Sequence, residues 1–75
     1  MNSKQQRILE ILAEVVQVRP ETIEPDHDLK SDLELDSAQA LELLATIEDE
    51  FDREISEVEA AKVKTVQDIL NFAPD

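Results

Sequence analysis

Cysteine and glycine are both absent from this 75-residue chain, and so are tryptophan and tyrosine. Without cysteine there is neither a disulfide framework nor a thiolate metal site. That suits a reducing compartment. Without glycine there is no Gly-rich phosphate loop, which removes the P-loop and dinucleotide fingerprints together. The easiest residue for left-handed turns is missing as well. Turns are therefore expected from Pro20, Pro25, Asp, Asn and Ser. Apolar runs stop at three residues, as at Ile11-Leu12-Ala13, far short of the roughly 20 that span a bilayer. Met1-Asn2-Ser3-Lys4-Gln5-Gln6 lacks the apolar stretch of a signal peptide. A cytoplasmic protein without a membrane span is expected.

What is present in excess is negative charge. Nineteen acidic residues against seven basic ones give a net charge of -12. Such a surface repels nucleic-acid phosphates, which excludes nucleic acid as a partner. It draws in partners with basic patches and speeds their encounter. High charge with only two Phe raises the question of disorder. Against it stands a 41% hydrophobic content laid out at helical spacing. The self-repulsion predicts that the fold gains stability from added salt or divalent cations. The length fits one small domain over residues 1–75, read as a monomer.

Four segments carry helix signals. The first is predicted to begin near Ser3, with Gln6 completing a capping box. Ile8, Leu9, Ile11, Leu12, Val15 and Val16 follow at helical spacing. Pro20 disfavours helical geometry at Arg19, so this helix should end near Val18. Residues 19–36 read as a long loop, with Ile23, Leu29, Leu33 and Leu35 anchoring it to the core. A loop that long in so small a domain is often functional. The second helix should start at Ser37, with Asp36 as N-cap and Gln39 in the third position. A shorter third helix is expected after Ser56, with Glu59 completing a box. A fourth should follow Thr65, with Asp68 in the equivalent place, burying Val66, Ile69, Leu70 and Phe72.

On a wheel of about 100° per residue, Ala40, Leu43, Leu44, Ile47 and Phe51 form the core stripe of the second helix. Ala38, Glu42, Ala45 and Asp49 lie opposite. Leu41 and Glu48 sit towards one edge of that outer face, with Ser37 beside them at the helix start. An apolar Leu41 framed by Glu42, Glu48 and Asp49 suits a basic partner with an apolar centre. Ser37 is offered at a helix N-terminus, where a phosphodiester would meet the positive end of the helix dipole. Plainer readings exist for each feature. Single exposed leucines are common, a serine beside an N-cap is ordinary capping chemistry, and acidic runs are mostly solvated faces.

Two other chemistries are considered. Asp26-His27-Asp28-Leu29-Lys30-Ser31-Asp32 imitates the start of a calcium loop. However, Lys30 falls on a ligand position, Ser31 replaces the turn glycine and Ser37 replaces the bidentate Glu. His27 is the only histidine, which leaves a multi-His metal site or a Ser-His-Asp triad without support. It is expected to be a solvent-exposed loop residue.

The stretch Asp32-Leu33-Glu34-Leu35-Asp36-Ser37, then Leu41-Glu42-Leu43 and Ile47-Glu48-Asp49-Glu50-Phe51-Asp52, resembles the acyl carrier proteins and their D-L-G-x-D-S-L motif. Glu54-Ile55-Ser56 and Lys64-Thr65-Val66-Gln67-Asp68-Ile69 resemble that family's E-I-P and T-T-V-x-x-I segments. The resemblance covers essentially the whole chain. It implies an all-α four-helix bundle with three longer helices and a short third one. It implies a 4'-phosphopantetheine arm attached to Ser37 by a phosphopantetheinyl transferase, with Asp36 matching the residue that precedes the modified serine. The arm would hold acyl groups as thioesters, and the protein itself would not be an enzyme. An apolar groove between helices would shelter the acyl chain. Acyl-transferring or chain-extending enzymes with basic docking patches would be the partners. By the same resemblance, Leu41, Glu42, Glu48 and Asp49 match the recognition helix, and Leu29 and Leu33 match loop anchors.

Three departures stand out. Ala38 replaces the Leu that follows the serine, Ala45 stands where a bulkier apolar residue is common, and Glu34 replaces the motif's Gly. The two alanines shrink the apolar surface beside Leu41, each weakening docking by about 1 kcal/mol or more where the site is buried at an interface. They suggest a specialised partner set. A free-standing aminoacyl or peptidyl carrier would share this core. An acidic helical adaptor that never receives the arm is the alternative from another class.

Overall fold

The computed structural model describes residues 2–74. Its elements are α1 (Ser3–Val16), a single 3₁₀ turn (Pro20–Thr22), α2 (Ser37–Phe51), α3 (Glu57–Ala61) and α4 (Val66–Leu70). There is no strand among the described residues, only an isolated antiparallel bridge between Asp28 and Thr65. The all-α four-helix order is the expected one. The lengths differ in one respect: α4, like α3, has five residues. Its chain continues through turns at 71–72, so Phe72 reaches the core without helical continuation.

Each helix starts where a side chain accepts from otherwise orphaned backbone N–H groups. Asp36 caps α2, its Oδ1 accepting from the Gln39 backbone N–H at 2.7 Å while Gln39 Oε1 accepts from the Asp36 N–H at 3.1 Å. Thr65 and Asp68 form the same reciprocal box at α4. At α3 only half of the expected box forms. Ser56 Oγ accepts from the Glu59 N–H at 3.1 Å, while the Glu59 carboxylate takes the Ser56 hydroxyl instead. At α1 the cap is Asn2, not Ser3, with Gln5 as its partner. Caps of this kind contribute about 1 kcal/mol each.

The helix ends also differ from expectation. Helix α1 stops at Val16 rather than near Val18, because Gln17 takes left-handed geometry (φ 60) and donates its N–H to the Ala13 carbonyl. Asp52 (φ 49) closes α2 the same way on Glu48. The third positive-φ residue is Glu34 (φ 57). With no glycine available, Gln and Glu carry two of the three left-handed positions among the described residues, which the predicted turn formers did not include.

The core is built from one face of each long helix and all the apolar positions of α4. Ile8, Leu12, Leu43, Ile47, Val66 and Ile69 are its most deeply buried side chains. Fully burying each side chain of this kind is worth about 1.5–3 kcal/mol. Ala40, Leu44 and Phe51 flank this core from α2, half-buried. The expected loop anchors hold: Ile23, Leu29 and Leu35 are buried, and Leu33 packs against the cluster. Backbone bonds then fasten the loop to the start of α4. Leu29 N–H donates to the Lys64 carbonyl at 2.9 Å, Val66 N–H to His27 at 3.0 Å and Gln67 N–H to Pro25 at 2.9 Å. The long loop is thereby a defined part of the fold.

Candidate functional site

A groove of about 760 Å³ runs beside the N-terminal half of α2. Leu29 and Leu35 of the loop, Ala40, Leu43 and Leu44 of α2, Ala60 and Ala61 of α3, and Val63 and Ile69 make its apolar walls. Asp36, Ser37 and Leu41 stand at its lip. Apolar walls open to a polar lip suit a chain-like apolar guest tethered at that lip.

Ser37 is the first residue of α2 and is exposed. Asp36 takes the capping role, so the Ser37 hydroxyl is not used to cap, and it has no hydrogen-bond partner among the described residues. Gln39 locks this corner in place. Its side-chain amide accepts from the Asp36 N–H and donates to the Val15 carbonyl at 3.3 Å, linking the cap of α2 to the last turn of α1. A free hydroxyl on a rigid helix start, beside an apolar groove, fits a covalently attached arm. Nothing in the surrounding packing has to move to expose it.

The outer face of α2 is as the helical wheel placed it. Ala38, Glu42, Ala45 and Asp49 are exposed, and Leu41 is 71% exposed. Glu48 departs from this set. It is half-buried, and its Oε2 accepts the Ile55 N–H at 2.8 Å, so its carboxylate fastens the chain entering α3. The wheel put Glu48 at the edge of the outer face but could not show that the chain folds back to it. Sequence reasoning also missed Val58, 65% exposed on α3. The signal was a large aliphatic residue in a helix too short to form a stripe.

His27 is half-buried rather than solvent-exposed. Its Nδ1 accepts from the Glu24 N–H at 3.1 Å, and its Nε2 lies 3.5 Å from the Glu24 carboxylate. The carboxylates of the calcium-loop lookalike are also turned to the backbone. Asp28 Oδ1 accepts from Lys30 and Ser31 N–H groups, both at 2.9 Å, and Asp32 Oδ2 accepts from the Asp28 N–H. Hydrogen bonds from Ser31, then from Lys30, hold the Asp28 carboxyl below its ordinary pKa.

Glu34 lies between the two anchors Leu33 and Leu35. Its left-handed geometry turns the chain so that Leu35 N–H reaches the Leu29 carbonyl at 2.8 Å. Glycine takes this geometry freely, whereas a residue with a Cβ loses about 1 kcal/mol there. The departure from the motif's Gly thus falls at a position where the backbone favours Gly.

A family model for the phosphopantetheine attachment site matches residues 6–73. An acyl carrier protein from Thermosynechococcus vestitus is 40% identical over 67 residues, covering 89% of this chain and 83% of that protein. A solved structure of a candidate acyl carrier protein from Mycobacterium tuberculosis superposes with a TM-score of 0.86 at 30% identity, covering 92% of both chains. No helix of the described residues is long and apolar enough to cross a membrane. Fold, free serine, adjoining groove and these likenesses lead to one assignment: the chain belongs to the acyl carrier proteins, carriers that bear phosphopantetheine on a serine and have no catalytic activity of their own.

Proposed function

We propose that Ser37 is the serine that carries the 4'-phosphopantetheine arm, and that the chain delivers arm-bound acyl groups to enzymes of fatty acid, lipid or polyketide-type biosynthesis. The observation that carries this reading is the exposed, unpartnered Ser37 hydroxyl at the lip of the apolar groove. When bound, the arm supplies a terminal thiol that holds the acyl group as a thioester. The chain's own residues do the rest. Asp36 and Gln39 fix the first turn of α2, so that Ser37 meets a transferase in one orientation. The Ser37 oxygen would form the new phosphodiester bond to the pantetheine-bearing phosphorus of coenzyme A as the coenzyme's pyrophosphate P–O bond breaks and adenosine 3',5'-bisphosphate leaves, the serine proton passing to a base of the transferase. Ala40, Leu43, Leu44 and Val63 offer an acyl chain a surface away from water.

Docking is assigned to Ala38, Leu41, Glu42, Ala45 and Asp49, whose exposure and acidity complement a basic patch with an apolar centre. Glu48 contributes negative potential to that face while its carboxylate serves the fold. A mostly apolar groove favours acyl over aminoacyl cargo. The test is to incubate the protein with coenzyme A and a broad-specificity phosphopantetheinyl transferase and to record intact mass beside Ser37→Ala. The parent should gain one phosphopantetheine and the variant none. No gain by the parent with several transferases would favour the acidic adaptor, and gain by Ser37→Ala would move the attachment elsewhere.

A further inference from the structure

We infer that Lys30 and Lys64 form a cationic side of the groove that holds the phosphodiester of the arm, drawing the arm along the groove instead of out into solvent. The inference rests on Ser37 being the attachment residue. In a chain of nineteen acidic and seven basic residues, two of the seven line the same groove as Ser37. The fold sets them side by side. The Leu29 N–H donates to the Lys64 carbonyl at 2.9 Å, and Asp28 bridges Thr65 in the antiparallel sense. Lys30, next along from Leu29, is thereby a neighbour of Lys64 across that pairing. Neither ammonium forms an ion pair among the described residues. Asp28 and Asp68 act on them through space, but both carboxylates are occupied by backbone N–H groups. Of the other charged groove residues, Asp36 is engaged by the Gln39 N–H and Glu57 lies in the first turn of α3. Two adjacent ammonium groups on one wall make a site for an anion that reaches both.

The tether says which anion that is. A free anion would have to approach a chain of net charge -12, which repels it. A phosphodiester on Ser37 is already at the groove's lip and meets the lysines intramolecularly, so a weak contact suffices to hold it. The loop keeps the two ends close. The Leu35 N–H donates to the Leu29 carbonyl at 2.8 Å, with Lys30 one residue beyond that contact and Ser37 two. Those are steps of about 3.8 Å each, and the lysine stem is long and flexible. The modification also adds a negative charge beside Asp36, where the chain is already acidic. Lys30 and Lys64 are the cations of the groove that offset it.

The experiment uses the full chain, before and after loading with the arm but without an acyl group, so that the arm's own phosphate is the anion tested. The parent is compared with Lys30→Gln/Lys64→Gln and with a control, Arg19→Gln/Lys62→Gln. The control removes two exposed cations that do not line the groove and changes the net charge equally. Thermal melts of both forms are taken at low and high salt, with phosphorus NMR spectra of the loaded forms. The loaded-minus-unloaded difference in Tm cancels whatever the lysines do for the fold alone. At low salt this difference should be roughly 2–4 °C lower in the groove variant than in the parent, the size of exposed ion pairs in a domain this small. It should match the parent's in the control, and the effect should fade at high salt. The phosphorus resonance should move in the groove variant and stay in the control, and Lys30→Arg/Lys64→Arg should keep the parent's values. Equal differences in parent and groove variant would overturn the inference. So would an equal loss in the control, which would mark a general effect of charge. A parent that gains no arm, or gains it on a residue other than Ser37, would instead strike the attachment assignment.

Discussion

Helices α1 and α3 begin alike, each with a polar side chain capping its third amide, yet they are held by different forces. Helix α1 has fourteen residues and sends Ile8, Leu9, Ile11, Leu12 and Ala13 into the core. Helix α3 has five and contributes no buried residue. It is held from its edges. Glu48 grips the Ile55 N–H, Ser56 caps the first turn, and the Arg53 guanidinium lies 3.5 Å from Glu59 while also packing over Phe72. One helix is framework and the other is a wall of the groove, attached by polar contacts that open and close at little expense. Regions with few buried apolar contacts open locally, well below the free energy of global unfolding. On the proposed reading, in which an acyl chain enters and leaves the groove, a locally opening α3 would give it a way in.

The largest effect should come from the framework. Leu12 is fully buried, and Leu12→Ala should cost about 2–5 kcal/mol, a large share of the 5–15 kcal/mol available to an ordinary domain. Urea melts measure this loss, and native-state hydrogen exchange separates the two regions. Core amides of α1 exchange through global unfolding and should speed up with the loss of stability. Amides of α3 exchange through local opening and should change little. Equal acceleration in both helices would mean that α3 is part of one cooperative unit and would erase the distinction.

A middle-sized effect should come from the clamp on α3. Glu48→Ala leaves the half-buried Ile55 N–H without its acceptor, a loss of about 1–3 kcal/mol, placed locally. Exchange at Ile55 and through α3 should accelerate while α1 stays as in the parent. Glu48→Gln keeps an acceptor oxygen, so its exchange pattern should stay close to the parent's. If Glu48 acts instead mainly as a docking carboxylate, the order reverses: both variants weaken partner binding alike, and neither alters exchange in α3.

Much of this was legible in local sequence. Asp36, Ser56 and Thr65 announce their helices because an N-cap and its third-position partner lie within four residues. The buried stripe of α2 follows from helical geometry alone. Where local signals are degenerate, sequence fails. Asn2-Ser3 and Gln5-Gln6 allow the capping box in two registers one residue apart, and the structure takes the earlier. The left-handed Gln17 and Glu34 carry no composition cue, since each is set by where the next segment has to go. The inward turn of Glu48 depends on a chain reversal at Asp52, and the half-burial of His27 depends on the loop docking against α4. The groove is the least legible feature. Its walls come from positions spread between residues 28 and 69, and only the tertiary arrangement brings them together.

The smallest effect concerns the other edge of the groove, where α4 starts. Asp68 Oδ2 accepts from the Lys64 N–H at 2.9 Å and the Thr65 N–H at 3.0 Å. These bonds, that from Thr65 foremost, hold the Asp68 carboxyl below its ordinary pKa. A carboxyl whose pKa is lower folded than unfolded contributes stability above its unfolded value, about 3.9. That contribution disappears as pH falls through the lower folded value. Asp68→Asn should therefore be less stable than the parent at pH 7, by no more than the about 1 kcal/mol of a helix cap. The gap should narrow below about pH 4. The difference between the two proteins is the quantity to read. Acid also discharges a chain of net charge -12, and that relief of self-repulsion acts on both. Paired urea melts at pH 7 and near pH 3 measure it. A gap that stays constant would mean that the cap works equally well with a neutral acceptor, and that the Asp68 charge adds nothing to the hold on α4.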